Sequence, residues 1–217
     1  MSMNKKDLLI FIKTIINVTL YHFKKKRFGY LDKTAYVNRR CKIFNKKNVF
    51  LYEKTNLNEG GFIMNTRANF IMKKWSGAAF GLSVITGNHM SLVGKNIKQI
   101  TDIIKNETDI HHEMDKDVIV EEDVWIASHV TLLSGSHIGR GCEVGAGSVV
   151  RGSVPPYSVV IGNPCKVVGF RFTPEEIIEH EKQQYEEAER LPIELLQKNY
   201  EKYFLNRIKD IKQFTKL

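Results

Sequence analysis

Aliphatic residues recur every six positions in the second half of the chain: Val120, Ile126, Leu132, Ile138, Val144 and Val150. The fourth residue after each is small or β-branched: Val124, Val130, Ser136, Cys142, Ser148 and Val154. A period of six fits neither the 3.6-residue turn of a helix nor the two-residue alternation of a strand. It fits a chain that turns a corner every six residues and stacks on itself, a parallel β-helix. The aliphatic residue points to the axis, the small residue lets the backbone turn, and strands of successive coils pair about 4.8 Å apart. The position after the aliphatic residue holds Ala127, Gly139 and Gly145. Glycine is expected where such a turn needs positive φ.

The earlier half is looser. Val49 and Thr55 keep the spacing in one phase, and Leu51, Leu57 and Ile63 keep it in another. Ile71, with Trp75 four residues on, suggests a further unit. The repeat then breaks over 91–116, a length uncommon inside a regular solenoid and often functional. About six coils of three hexapeptides are expected. The sequence divides into an N-terminal helix and linker at 1–34, the β-helix at 35–168 and a helical extension at 169–217. In that extension, Thr173-Pro174-Glu175-Glu176 reads as a helix start, with an N-cap, an N1 proline and an acidic first turn. The first helix is expected to run to about Arg190 and a second, opened by Pro192, to about Phe214. Helices at both ends would cover the raw edges of the solenoid.

At the N-terminus, Leu8 to Phe23 is apolar but interrupted by Lys13, Asn17 and His22, and is too short and polar to span a bilayer. It lacks a small-residue cleavage site, so it is a poor signal peptide. Leu8, Phe11/Ile12, Ile15, Thr19 and Phe23 share one helical face, which makes an amphipathic helix. Two readings stay open: a helix capping the first coil, or a membrane-surface helix anchored by the basic run Lys24-Lys25-Lys26-Arg27. The 33 Lys+Arg against 24 Asp+Glu give a net charge of +9, which favours anionic partners. No nucleic-acid motif accompanies the basic residues, so no nucleic acid is expected as a partner. Cys41, Cys142 and Cys165 are odd in number and far apart, as suits reduced thiols in a cytoplasmic protein.

Four segments carry a resemblance: Val118 to Ser128, Ile138-Gly139-Arg140-Gly141, Val144-Gly145-Ala146-Gly147-Ser148-Val149-Val150, and Gly162-Asn163-Pro164-Cys165-Lys166-Val167-Val168. Together they resemble the hexapeptide-repeat acyltransferase family, more narrowly its sugar and polysaccharide O-acetyltransferase branch. Maltose, galactoside and nodulation-factor acetyltransferases belong to that branch. The resemblance implies a left-handed parallel β-helix, mainly β with helices at both ends, assembled as a homotrimer. Acetyl-CoA is the implied donor, bound between subunits, with a carbohydrate hydroxyl as acceptor and no metal. The basic N-terminal segment would suit work at the cytoplasmic, inner face of the membrane.

Acetyl transfer from a thioester to a hydroxyl needs a base, an oxyanion donor and a channel that aligns both substrates. His89 matches the family's catalytic histidine through Ile85-Thr86-Gly87-Asn88-His89, with Met90 where proline often follows. An imidazole can take the proton and return it near neutrality. By the same resemblance, Ser128 corresponds to the position whose backbone N–H faces the thioester carbonyl, and Asn88 and Trp125 line the channel. Ala127, Gly145, Ala146 and Lys166 fall where the cofactor lies, with Lys166 near its phosphate end. Each has a plainer account: corner residues, small core residues, an interface tryptophan, a surface lysine. His111 and His112 sit in the 91–116 loop, solvated or near the acceptor; His129 and His137 lie at or near repeat corners. The loop's own charges (Lys95, Lys98, Asp102, Lys105, Glu107, Asp109, Glu113 and Asp115) fit a solvated segment, or one that shapes acceptor choice.

The residues leave rivals. N-acetylation of an amino sugar or of an antibiotic would use the same base and donor. A carbonic-anhydrase-like enzyme on the same prism would need three histidines on a zinc ion. A solenoid that only presents a surface would have no use for His89, Trp125 and Lys166.

Overall fold

The structure, a computed structural model, describes residues 5–25 and 27–203. A helix, α1 (Lys5–Lys25), precedes the solenoid. The first coil is β1 (Tyr30–Leu31), β2 (Tyr36–Val37) and β3 (Lys42–Ile43); the second is β4 (Val49–Leu51), β5 (Asn56–Leu57) and β6 (Phe62–Met64). The third is β7 (Phe70–Met72), β8 (Gly77–Ala78) and β9 (Ser83–Ile85). The fourth is β10 (Val118–Val120), β11 (Trp125–Ile126) and β12 (Thr131–Leu132); the fifth is β13 (His137–Ile138), β14 (Glu143–Val144) and β15 (Val149–Val150). A sixth opens with β16 (Ser153–Val154) and β17 (Ser158–Ile161), and β18 (Lys166–Phe170) folds back antiparallel on β17. Every third strand pairs, giving sheets of six, seven and five strands. The first sheet starts at β1, the second at β2 and the third at β3. The antiparallel β18 covers the upper edge of the second sheet.

The six-residue row is the core. Leu51, Met72, Val120, Ile138 and Val154 stack in register in the first sheet. Leu57, Ala78, Ile126, Val144 and Val160 stack in the second. Ile63, Val84, Leu132 and Val150 stack in the third. All are buried, and each large aliphatic side chain so removed from water contributes about 1.5–3 kcal/mol. The two phases of the early half are two rows of one prism. Leu51, Leu57 and Ile63 are the axial row, and Val49, Thr55 and Gly61 are buried beside the corners. Ile71 is not an axial residue: it is partly exposed, and its neighbour Met72 points inward, with Ser76 four residues later. Strand side chains alternate faces, so a one-residue shift of frame inverts the assignment.

The glycine expectation is also corrected. Gly139 and Gly145 do not take positive φ; the left-handed residue is the third after the axial one. Gly60, Gly81, Gly135, Gly141 and Gly147 occupy that position, but so do Lys54, Trp75, Asp123, His129 and Tyr157. Gly139 is small for another reason: a Cβ there would stand 2.6 Å from the Pro156 nitrogen.

The coils differ in length at one edge only, where the third sheet meets the first. The axial spacing there is eight residues from Ile43 to Leu51, nine from Ile63 to Met72, and 36 from Val84 to Val120. Buried Asn65 stitches the two shorter insertions together. It accepts the Asn45 N–H at 3.2 Å and donates to the carbonyls of Asn45 (2.8 Å) and Asn48 (3.2 Å). The long insertion contains a 3-10 turn at Ile97–Gln99 and α2 (Asp102–Thr108), capped by Thr101.

Above the solenoid lie α3 (Pro174–Gln184) and α4 (Ile193–Tyr203). Thr173 and Glu176 form the capping box that the sequence suggests. The first of these helices stops at Gln184 rather than near Arg190. Tyr185 turns out of the helix to cover the Arg140 guanidinium, 3.9 Å from its ring centre, and Arg190 donates to the Tyr185 carbonyl at 3.1 Å. The expected continuation of the last helix toward Phe214 lies outside the described residues. At the other end, the sequence leaves two readings of α1 open; every residue from Lys6 to Ile16 is exposed, so this stretch does not bury its apolar side chains on the first coil, and the helix contacts β1. The side chains of Thr19 and Phe23, assigned to its apolar face, lie outside the described residues.

Candidate active site

His89 follows β9 at the edge that carries the insertions. Its ring is exposed, and Nδ1 lies 2.9 Å from the Met90 carbonyl oxygen. A carbonyl can only accept, so Nδ1 is the donor in that contact, and in the neutral ring the lone pair then sits on Nε2. His89 and Asn88 open onto a cavity of about 240 Å³ between the second and third coils and the inserted loop. Met64 and Thr66 form one wall; Ile100, Thr101 and Lys105 form the other.

A buried ionic cluster holds the loop against the segment before His89. The Asp115 side chain is fully buried and receives three groups: the Asn88 N–H at 3.0 Å, Lys105 Nζ at 2.6 Å and Arg67 Nη1 at 3.3 Å. Lys105 Nζ also donates to the Asn88 carbonyl at 2.7 Å, and Asn88 Nδ2 donates to the Met114 carbonyl at 2.8 Å. Gly87 has no room for a side chain, since a Cβ would lie 2.9 Å from Asp115 Oδ1. Asp109 closes the cluster, accepting from Arg67 Nη1 at 3.3 Å and from the N–H groups of Glu113 and Met114. Burial pushes its carboxyl up, but the Met114 and Glu113 N–H groups and the Arg67 charge outweigh this and hold it below the usual range. Asp109 and Asp115 are therefore buried structural carboxyl groups, not solvated side chains of the loop. Arg67 drew no notice in the sequence; its partners are 42 and 48 residues away, and no local pattern links them.

The remaining sequence candidates gather at a different edge, between the second and third sheets. Trp125 projects outward from β11, half exposed, over Gly77, whose notional Cβ would lie 3.4 Å from its ring. Ala79, Ala127 and Gly145 stack in a column, their N–H groups donating to Ile126, Val144 and Val160 in turn. Ser128 and Ala146 are the next residues along this edge, and among the described residues neither N–H finds an acceptor. Lys166 is exposed at the start of β18. The width of the third sheet separates this column from His89 within one chain.

The other histidines stand apart. His111 and His112 are exposed and do not line the His89 cavity. His129 packs edge-on against Phe80 with ring centres 5.2 Å apart, and His137 pairs with Glu121 at 2.7 Å. Among the described residues no three His, Cys, Asp or Glu side chains converge as a metal site would need. The three cysteines are free; burial pushes the Cys142 thiol up to about 11 and raises those of Cys41 and Cys165.

Residues 117–152 match the family described as bacterial transferase hexapeptide (six repeats). A putative acetyltransferase of Staphylococcus aureus is 49% identical over 49 residues, covering 23% of this chain and 25% of that protein. A putative lipopolysaccharide biosynthesis O-acetyl transferase of Escherichia coli is 47% identical over 51 residues, covering 24% and 26%. The chain thus spans about a quarter of the length of the curated relatives it matches. The hexapeptide-repeat containing acetyltransferase of Vibrio cholerae superposes with a TM-score of 0.58 at 21% identity, covering 72% of this chain and 81% of that one. Its complex with acetyl-CoA gives 0.52 at 20% identity, covering 71% and 78%. At such identities the superpositions speak for the fold.

Proposed function

We propose that this chain, a hexapeptide-repeat β-helix protein, is an acetyl-CoA-dependent acyltransferase that acetylates a carbohydrate hydroxyl, with His89 as general base. The observation that carries this reading is the Nδ1 contact to the Met90 carbonyl, which in the neutral ring puts the lone pair on Nε2, in a histidine that lines a cavity. Acetyl-CoA would supply the acetyl group as an activated thioester. Its place is the column of Ala127, Gly145 and Ala146, where small side chains keep the backbone accessible, with Lys166 as a cation for its phosphates. His89 Nε2 takes the proton of the acceptor hydroxyl as the oxygen attacks, and later gives it to the leaving sulfur. The unpaired Ser128 N–H offers a donor for the oxyanion. Asn88 and Trp125 flank the path of the substrates.

His89 and the Ala127–Ala146 column lie at different edges of one chain, so a complete site needs the edge of a second copy. A homotrimer with sites between subunits meets that need. The acceptor we assign is a surface polysaccharide, an oligosaccharide or a precursor of one, handled in the cytoplasm where the donor is available. An amino-sugar nitrogen is the second acceptor class, since the same base and donor serve it.

The test is release of free CoA thiol from acetyl-CoA with a panel of sugars, amino sugars and acetylable antibiotics. Acceptor-stimulated release that falls about 10²–10⁴-fold in His89→Ala supports the reading. Release unchanged by that substitution overturns the role of His89. An amine that responds while all hydroxyl acceptors fail moves the protein to N-acetylation.

A further inference from the structure

No helix among the described residues is long and apolar enough to cross a membrane. Even so, α1 presents Leu8, Leu9, Ile10, Phe11, Ile12, Ile15 and Ile16 to solvent, each 44–55% exposed. Seven large apolar side chains on one short stretch form a contiguous patch of the kind that marks an interaction surface. Among the described residues they are left uncovered, and the strand the helix contacts most is β1.

Charge decides what covers them. Residues 5–27 include Lys5, Lys6, Lys13, Lys24, Lys25, Lys26 and Arg27 against a single acid, Asp7. A second copy of the helix would set these cations against an identical set. An anionic bilayer accepts both features, taking the apolar side chains into the boundary of its acyl chains and the cations among its phosphates. Lys6 and Lys13 are seven residues apart and so lie along one side of the helix. Leu8, Phe11, Ile12 and Ile15 lie on the other.

We infer that α1 is a membrane-surface helix that seats the base of the solenoid on an anionic lipid bilayer. This rests on the exposure and charge of α1 and holds whether or not the acyltransferase reading does. The first strand begins five residues after the helix ends, at Tyr30, so docking fixes the solenoid close to the lipid surface.

The test is sedimentation of the full chain with phosphatidylcholine vesicles, and with vesicles of two parts phosphatidylcholine to one part phosphatidylglycerol. The expected result is binding to the anionic vesicles only, reversed as salt approaches about 1 M. Binding should fall at least about tenfold in Phe11→Glu/Ile15→Glu and in Lys24→Gln/Lys25→Gln/Lys26→Gln, with thermal unfolding unchanged in both. Failure to bind anionic vesicles, or equal binding to neutral ones, overturns the inference. So does a fall in molar mass by light scattering in Phe11→Glu/Ile15→Glu, which would assign the apolar face to another copy of the chain.

Discussion

Lys105 and Asp115 meet at 2.6 Å, and between them they hold both polar groups of the Asn88 backbone: Asp115 accepts its N–H and Lys105 donates to its carbonyl. The next residue is His89. Both partners belong to the inserted loop, so the loop fixes the backbone on which the proposed base is mounted. Lys105→Met leaves Asp115 with Arg67 as its remaining cation and frees the Asn88 carbonyl. Misplacing a reacting group by an ångström costs on the order of a hundredfold in rate. We expect thiol release to fall between about tenfold and a hundredfold, with restoration toward wild type in Lys105→Arg. Asp115→Ala leaves Lys105 without its carboxylate and Arg67 with Asp109 alone, and should cost about 3–5 kcal/mol, measured by urea unfolding.

A second cluster governs the acid limit of stability. Burial pushes the Glu121 carboxyl up, but His137 at 2.7 Å and Lys73 at 2.5 Å outweigh it and hold the group down at about 2, against an ordinary 4.5. The folded state therefore favours the ionised form. Its contribution is fully present above about 4.5 and is lost as pH falls through about 2. Glu121→Gln should lose on the order of 2 kcal/mol at neutral pH and show a flatter decline between pH 4.5 and 2. Urea midpoints across that range would read both effects.

Two glycines should respond oppositely to the same substitution. A Cβ on Gly139 would meet the Pro156 nitrogen at 2.6 Å and the Val154 carbonyl oxygen at 2.7 Å, and backbone cannot move aside cheaply. Gly169 has nothing within 4 Å. Gly139→Ala is expected to destabilise by about 1–3 kcal/mol, and Gly169→Ala to stay within about 0.5 kcal/mol, by denaturant titration.

The helices at the top of the solenoid hang on one carboxylate. Buried Glu181 accepts from Arg140 and from the Leu191 N–H, each at 2.9 Å, and from the Tyr157 hydroxyl, whose pKa burial and this contact raise. Glu181→Ala removes the acceptor of the Tyr157 hydroxyl and leaves Arg140 with Glu122 and the Glu189 carbonyl, and should cost about 3–5 kcal/mol. Limited proteolysis should then cut first between Phe172 and Leu191.

The coils from Val118 to Val150 were legible in the sequence because no residue interrupts their six-residue phase; the row then steps by four to Val154, which the six-residue pattern puts at a corner and the fold makes axial. The earlier coils were harder: two- and three-residue insertions at one edge shift the phase between turns, and the shift before Phe70 put Ile71 where Met72 belongs. The left-handed corner residue was hidden because lysine, tryptophan, aspartate, histidine and tyrosine fill it about as often as glycine. Asn88 and His89 could be picked out as neighbours in sequence, and the fold sets both on one cavity. The anchoring of that segment could not be read, because Arg67, Lys105 and Asp115 meet only after the chain has wound through a coil and an excursion.

Length changes in the regular coils are confined to the seam where the third sheet passes to the first. A single residue added at either other corner would turn every later axial side chain out to water. One added here vanishes into a loop. The molecule thereby keeps apart the residues that make it fold and the stretch that is free to diverge. Exchanging the stretch between Met90 and Ile100 for another of different length would re-aim what reaches His89 while leaving Lys105, Asp115 and the stacked aliphatic rows in place.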